Sequence, residues 1–236
     1  MAFTRTLFDR TFFFIGGVFL FSFWGFWVTY FTRPPETLVT WDHLHGIAMY
    51  VWLVLMVIQA GLIRFKHRKL HRALGKVSYA LVPVIFVSTF FVSHFYLNAR
   101  ELSDEGVYIL GLQFVGLIPF TIFYCLAMLN RAKPDVHARW MVCVGATLLD
   151  PVFARIIGIN FLQVPFESGI INAITFGGVA VLMLVLTVLD YRDSGRRDVF
   201  LPAMLIMAVP QALCLLAWDT GPWRAFAAWY AALPLT

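Results

Sequence analysis

The chain has 236 residues, 61% of them hydrophobic, with 18 basic and 13 acidic residues and a formal net charge of +5. Charged residues make up 13% of it, against roughly 25% in a soluble domain, and the mean hydropathy is +0.79. These values exclude disorder, a collagen-like fibre, a disulfide scaffold and, despite the basic pI, a nucleic-acid-binding domain; what they describe is a polytopic membrane protein.

A helix crossing about 30 Å of hydrocarbon at 1.5 Å per residue needs roughly 20 apolar residues. Seven stretches meet that requirement, so the expected fold is all-α, a seven-transmembrane-helix bundle forming a single domain over residues 1–236. The first span, 11–31, follows Arg5 and Arg10; its uncharged run exceeds the roughly 7 to 15 residues of a signal-peptide core and lacks a small-residue cleavage site, so it is expected to be retained. The second, 42–64, carries His45, Met49, Trp52, Met56 and Gln59 at alternating spacings of four and three, one face of a helix. Lipid gives no reason to gather His and Gln on one stripe, and this face is expected to look into the bundle. The third span, 74–98, ends near His94, and the fourth, 107–130, brings in Gln113. The fifth, 138–159, contains Asp150, Pro151 and Arg155; 169–190 and 199–218 complete the set. Residues 219–236, with Trp223, Trp229 and Tyr230, read as an interfacial aromatic tail. Cys125, Cys143 and Cys214 all lie in apolar runs and read as packing residues.

Charge gives the orientation. The N-terminus and alternate loops hold Arg5 and Arg10, then Arg64, Lys66, Arg68, Lys69, Arg72 and Lys76, then Arg131, Lys133 and Arg139, then Arg192, Arg196 and Arg197. The other side keeps Arg33, Arg100, Arg155 and Arg224, together with acids that include Glu167. Short cytoplasmic loops carry the Lys and Arg excess, so the N-terminus is expected in the cytoplasm and the C-terminus outside.

Ionisable groups at membrane depth are costly and require a partner or a function. On the outer side His45, His94 and Asp150 come from three spans at similar depth. His45 and His94 suit the axial positions of a b-type haem with Arg155 near a propionate, and the same two histidines with Asp150 suit three zinc ligands around an open fourth position. The bland alternative is that His45 is a satisfied core histidine and His94 an interfacial one. On the inner side His71 and His137 each open a span and form a candidate second site, within a cationic rim that topology and anionic lipid explain equally well.

The segments Leu44-His45-Gly46, His71-Arg72-Ala73-Leu74-Gly75 and His137-Ala138-Arg139-Trp140-Met141 resemble the signatures of an uncharacterised bacterial family of multi-span membrane proteins. The likeness covers about residues 40 to 150 and implies a bacterial inner-membrane location without an activity. A looser similarity is to cytochrome b561-like haem membrane proteins, in which histidines on neighbouring helices ligate haem at two levels. His71 and His94 stand 23 residues apart, roughly 34 Å of helix, which departs from that pattern by placing His71 at the water boundary. Three functions stay open: a haem or metal site in the outer half of the bundle serving redox chemistry, a zinc-dependent hydrolase acting on a lipid or amide, and a non-catalytic accessory or assembly subunit. Membrane lipids and subunits of a membrane complex are the expected partners, and nucleic acid is not.

Overall fold

The computed structural model describes residues 2–165 and 168–236, with side chains described from Arg10 onward; Glu167, counted above among the outer acids, lies outside the described residues. Helix α1 (Ala2–Phe26) runs into a π-helical turn (Trp27–Phe31), followed by α2 (Thr40–Arg64), the short α3 (Arg68–Gly75), α4 (Ser78–Ala99) and α5 (Asp104–Leu129). Then come α6 (Pro134–Ala146), α7 (Leu149–Ile157) with a second π-helical turn (Gly158–Leu162), α8 (Ile170–Ser194), α9 (Phe200–Ala217) and α10 (Gly221–Ala231). Seven helical stretches are long and apolar enough to span a membrane: α1 from Arg10 with its π turn, α2, α4, α5, the joined α6 and α7, α8 and α9. The protein is a multi-pass, all-helical membrane protein.

Contacts between elements close a ring in the order α1, α2, α4, α5, α9, α8 and back to α1, and α6 and α7 touch α1, α5, α8 and α9 from inside it. Burial agrees: 67% of the apolar stretch in the fifth span is buried, against 22–44% in the other six. The fifth span is therefore the hub. Its sequence suits that place, since Cys143, Gly145 and Ala146 keep its flank thin. A Cβ at Gly145 would stand 2.5 Å from the Ile15 side chain, and one at Gly25 would stand 2.8 Å from the Val152 carbonyl oxygen. These two glycines let α1 lie close along the hub, as small residues do at membrane helix interfaces. Pro151 has no N–H to offer the Thr147 carbonyl, which explains why the hub breaks at Thr147 and Leu148 between α6 and α7. The Thr147 hydroxyl donates to the Val144 carbonyl at 2.8 Å and completes the turn.

Large apolar side chains such as Leu20 (69% exposed), Leu129 (77%) and Leu216 (84%) point out of the ring, where their solvent is lipid. Two regions differ from the spans expected from sequence. Residues 74–77 do not open a span: α3 is a separate helix lying before α4, and Ser78 ends the junction by donating to the Gly75 carbonyl at 2.6 Å and bonding the Tyr124 hydroxyl at 2.8 Å. The aromatic segment after residue 218 folds as α10 and packs on α4 and α5, burying Ala227 and Tyr230 against Leu97, Val107 and Leu110.

Candidate functional site

The basic loops between α2 and α4, α5 and α6, and α8 and α9 lie at one end of the bundle, here the basic end. The sequence placed its principal site at the far end, on His45, His94 and Asp150. His45, in the second turn of α2, turns its Nδ1 to the Ser88 hydroxyl at 3.2 Å and the Thr89 hydroxyl at 3.4 Å, both on α4. His94 lies on the same α4 five residues beyond Thr89, about 140° around that helix, and faces the other way. It is fully buried, with Nδ1 at 2.6 Å from the Thr236 hydroxyl and its ring edge-on to Tyr230 at 5.4 Å. Tyr230 in turn donates to the Phe90 carbonyl at 2.7 Å. The C-terminal segment thus occupies the environment of His94.

Asp150 of α7 is buried and accepts from the Gln211 amide of α9 at 3.0 Å through Oδ2, while its Oδ1 has no hydrogen-bond partner. The expected convergence of His45, His94 and Asp150 does not form: each has partners on different elements, and no group of three His, Cys, Asp or Glu side chains arranged to hold a metal ion occurs among the described residues. The physical reason is angular, because equal depth fixes only one of the coordinates of a side chain and each step along a helix turns it by about 100°. Arg155, expected near a haem propionate, donates to the Pro151 carbonyl at 2.9 Å and lies over the Phe26 ring at 4.4 Å. A groove of about 380 Å³ between α5, α9 and α10 has walls such as Phe114, Trp218 and Trp223 and contains none of the histidines.

At the basic end two histidines do meet. His71 on α3 and His137 in the first turn of α6 have ring centroids 6.3 Å apart and planes at 82°. The Nδ1 of His71 lies 3.4 Å from the Gln59 carbonyl of α2, and that of His137 lies 2.9 Å from the Ala127 carbonyl of α5. A carbonyl only accepts, so in both rings Nδ1 carries a proton, and in the neutral ring the lone pair is then on Nε2. An imidazole whose outer nitrogen is pinned by a carbonyl is the arrangement that orients metal-binding histidines. Burial pushes the basicity of His71 below the usual imidazole value, the Gln59 carbonyl opposes this, and His137 and Arg72 add to the lowering. This lowering favours the neutral, electron-pair-donating form of His71. Both amide atoms of Gln59, beside Gly75, are buried without a hydrogen-bond partner.

One buried ionic group escaped the sequence reading. Arg139, counted there as part of the cationic rim, is fully buried and grips Asp190 of α8 through two bonds of 2.8 and 2.7 Å, with Ser194 donating to the same carboxylate at 2.9 Å. Asp190, as a carboxylate at the end of a predicted span, carried the signal, since such a group demands a cation. Comparison with protein-family models, curated proteins and solved structures finds no match to this chain.

Proposed function

We propose that this chain is a membrane redox protein in which His71 and His137 would hold one b-type haem at the basic end, on the cytoplasmic side of a bacterial inner membrane. The observation that carries the reading is the facing pair itself, with both Nδ1 protons tied to backbone carbonyls and both Nε2 atoms available. Two histidines suffice to hold a b-type haem, and no third His, Cys, Asp or Glu joins this pair among the described residues to make up a zinc ligand set. The stretch that carries His71 also holds Lys66, Arg68, Lys69, Arg72 and Lys76, cations that would suit haem propionates. When bound, such a group would supply one-electron chemistry; the chain's own part is to fix the two rings through their Nδ1 hydrogen bonds.

The test is an absorption spectrum and iron determination on gently solubilised protein, for the wild type, the His71→Gln/His137→Gln pair and the His45→Gln/His94→Gln pair. Loss of a Soret band in the first pair and its retention in the second supports the reading. Retention in the first pair returns the site to the far end.

A further inference from the structure

We infer that the groove between α5, α9 and α10 is the binding site of one aminophospholipid, with an acyl chain along the groove and the ammonium headgroup at the carboxylates of Asp104 and Asp219. This site lies at the opposite end of the bundle from His71 and His137 and does not depend on a haem there.

At about 380 Å³ the groove falls within the roughly 300–1,000 Å³ of clefts that hold small molecules. Its α5 wall is Gly111, Phe114, Val115 and Ile118, and its α9 wall is Pro210, Leu213, Cys214 and Ala217. Both sets recur at the spacing of one helix face, and each covers seven residues, about 10 Å of helix. The groove is therefore a furrow running along two spans, the direction in which bilayer chains run. Ile118 and Leu213, 43% and 59% exposed, leave its side open to lipid. Its floor needs Gly111: a Cβ there would stand 3.2 Å from the Cys214 sulfur and 3.7 Å from the Trp223 ring. Trp223 is fixed by its Nε1–H, which donates to the Val107 carbonyl at 3.2 Å, and stands edge-on to Phe114 at 6.1 Å. These hydrocarbon and aromatic walls complement a chain of methylenes. Such a chain gains nothing hydrophobic by leaving other lipid tails, so discrimination between lipids falls to the headgroup.

The charges at the mouth favour one headgroup. Trp218 of the groove wall has the Arg224 guanidinium carbon 5.8 Å from its ring centroid, which places Arg224 at the rim. Arg224 donates to Oδ1 of Asp219 at 2.7 Å and to Oδ1 of Asp104. One cation between two carboxylates leaves a net negative charge, and with the two acids 67% and 65% exposed both stay open to a second cation. A primary ammonium brings that charge together with N–H donors, while the phosphate of the same lipid meets Arg224. The quaternary ammonium of phosphatidylcholine has the charge without an N–H, and phosphatidylglycerol has no cation to offer. The two tryptophans suit this depth, since indole rings gather at the level of the headgroups.

The experiment is native mass spectrometry and thermal stabilisation of the full chain with three tail-matched probes: phosphatidylethanolamine, phosphatidylcholine and phosphatidylglycerol. The wild type is expected to retain a single phosphatidylethanolamine and to bind each of the other two roughly tenfold less tightly. Asp104→Asn combined with Asp219→Asn changes only exposed side chains and leaves Arg224 unneutralised, so its preference is expected to pass to phosphatidylglycerol, a shift that loss of packing would not produce. Ala217→Phe fills the furrow and is expected to weaken all three probes by roughly tenfold without altering their order. Should that variant not fold, the paired Asn variant decides alone. Preference of the wild type for phosphatidylcholine or phosphatidylglycerol, equal retention of all three or of none, or an unchanged preference in the folded Asn pair would overturn the proposal. Full retention by a folded Ala217→Phe would place the chain outside the furrow and overturn it as well.

Discussion

His71 and His137 set the behaviour expected at the scale of single residues. Burial holds His71 below the ordinary basicity of imidazole, so the unfolded chain takes up a proton before the folded one does as the medium is acidified. The sign follows: its contribution to stability is level above the ordinary histidine value near about 6.5 and falls as the pH drops below it. Apparent melting temperature measured across that range is expected to be flat from neutral to mildly alkaline pH and to decline on the acid side, with His71→Gln flattening the decline. An unchanged acid limb in that variant would refute the assignment. The Arg139 and Asp190 pair gives a larger effect, because the two side chains are only 1% and 3% exposed. Asp190→Asn strands a guanidinium and is expected to cost about 3–5 kcal/mol, whereas Arg139→Met combined with Asp190→Leu costs less than the single change. Equilibrium unfolding in detergent distinguishes these outcomes.

Among the elements, α10 shows how far pattern reading reaches. Its aromatic residues were legible as a group that prefers an interface, but nothing in local sequence says that Tyr230 returns to Ser93 and Phe90, or that Thr236 reaches His94 across 142 positions. That contact decides the role of His94: it fastens the C-terminal segment to α4. His94→Ala is expected to lower stability by about 1–3 kcal/mol, to speed amide hydrogen exchange in 221–231 relative to α1, and to leave any bound haem in place. Simultaneous loss of haem would restore His94 as a ligand. Helix α3 makes the complementary point. The charge-rich stretch after Arg64 reads as a loop, and the start of the next span was placed at residue 74, because periodicity does not separate a short rim helix from the helix that follows it. The separate α3 is what presents His71 to His137, two residues 66 positions apart. By contrast the stripe along α2 was readable, since spacings of four and three describe one helix face; Trp52 and Met56 on it are 1% and 5% exposed.

For the whole molecule, the seven spans followed from hydropathy and length, because the bilayer imposes both on every helix alike. The ring with its central fifth span did not, since packing order depends on which small residues face which neighbours, as Gly25 and Gly145 do for α1. Orientation is the corresponding prediction at this scale. Reporters fused after Lys69, Lys133 and Arg196 are expected to be cytoplasmic, and those after Asp104 and at the C-terminus external; an external signal after Arg196 would require another span count. The central claim is that the bundle carries one haem between His71 and His137, and its most direct test is the visible spectrum with iron content of the purified wild type beside the His71→Gln/His137→Gln variant. The expected result is a Soret band with about one iron per chain in the wild type and neither in the variant. A wild-type protein without bound iron, or a variant that retains both signals, would contradict it.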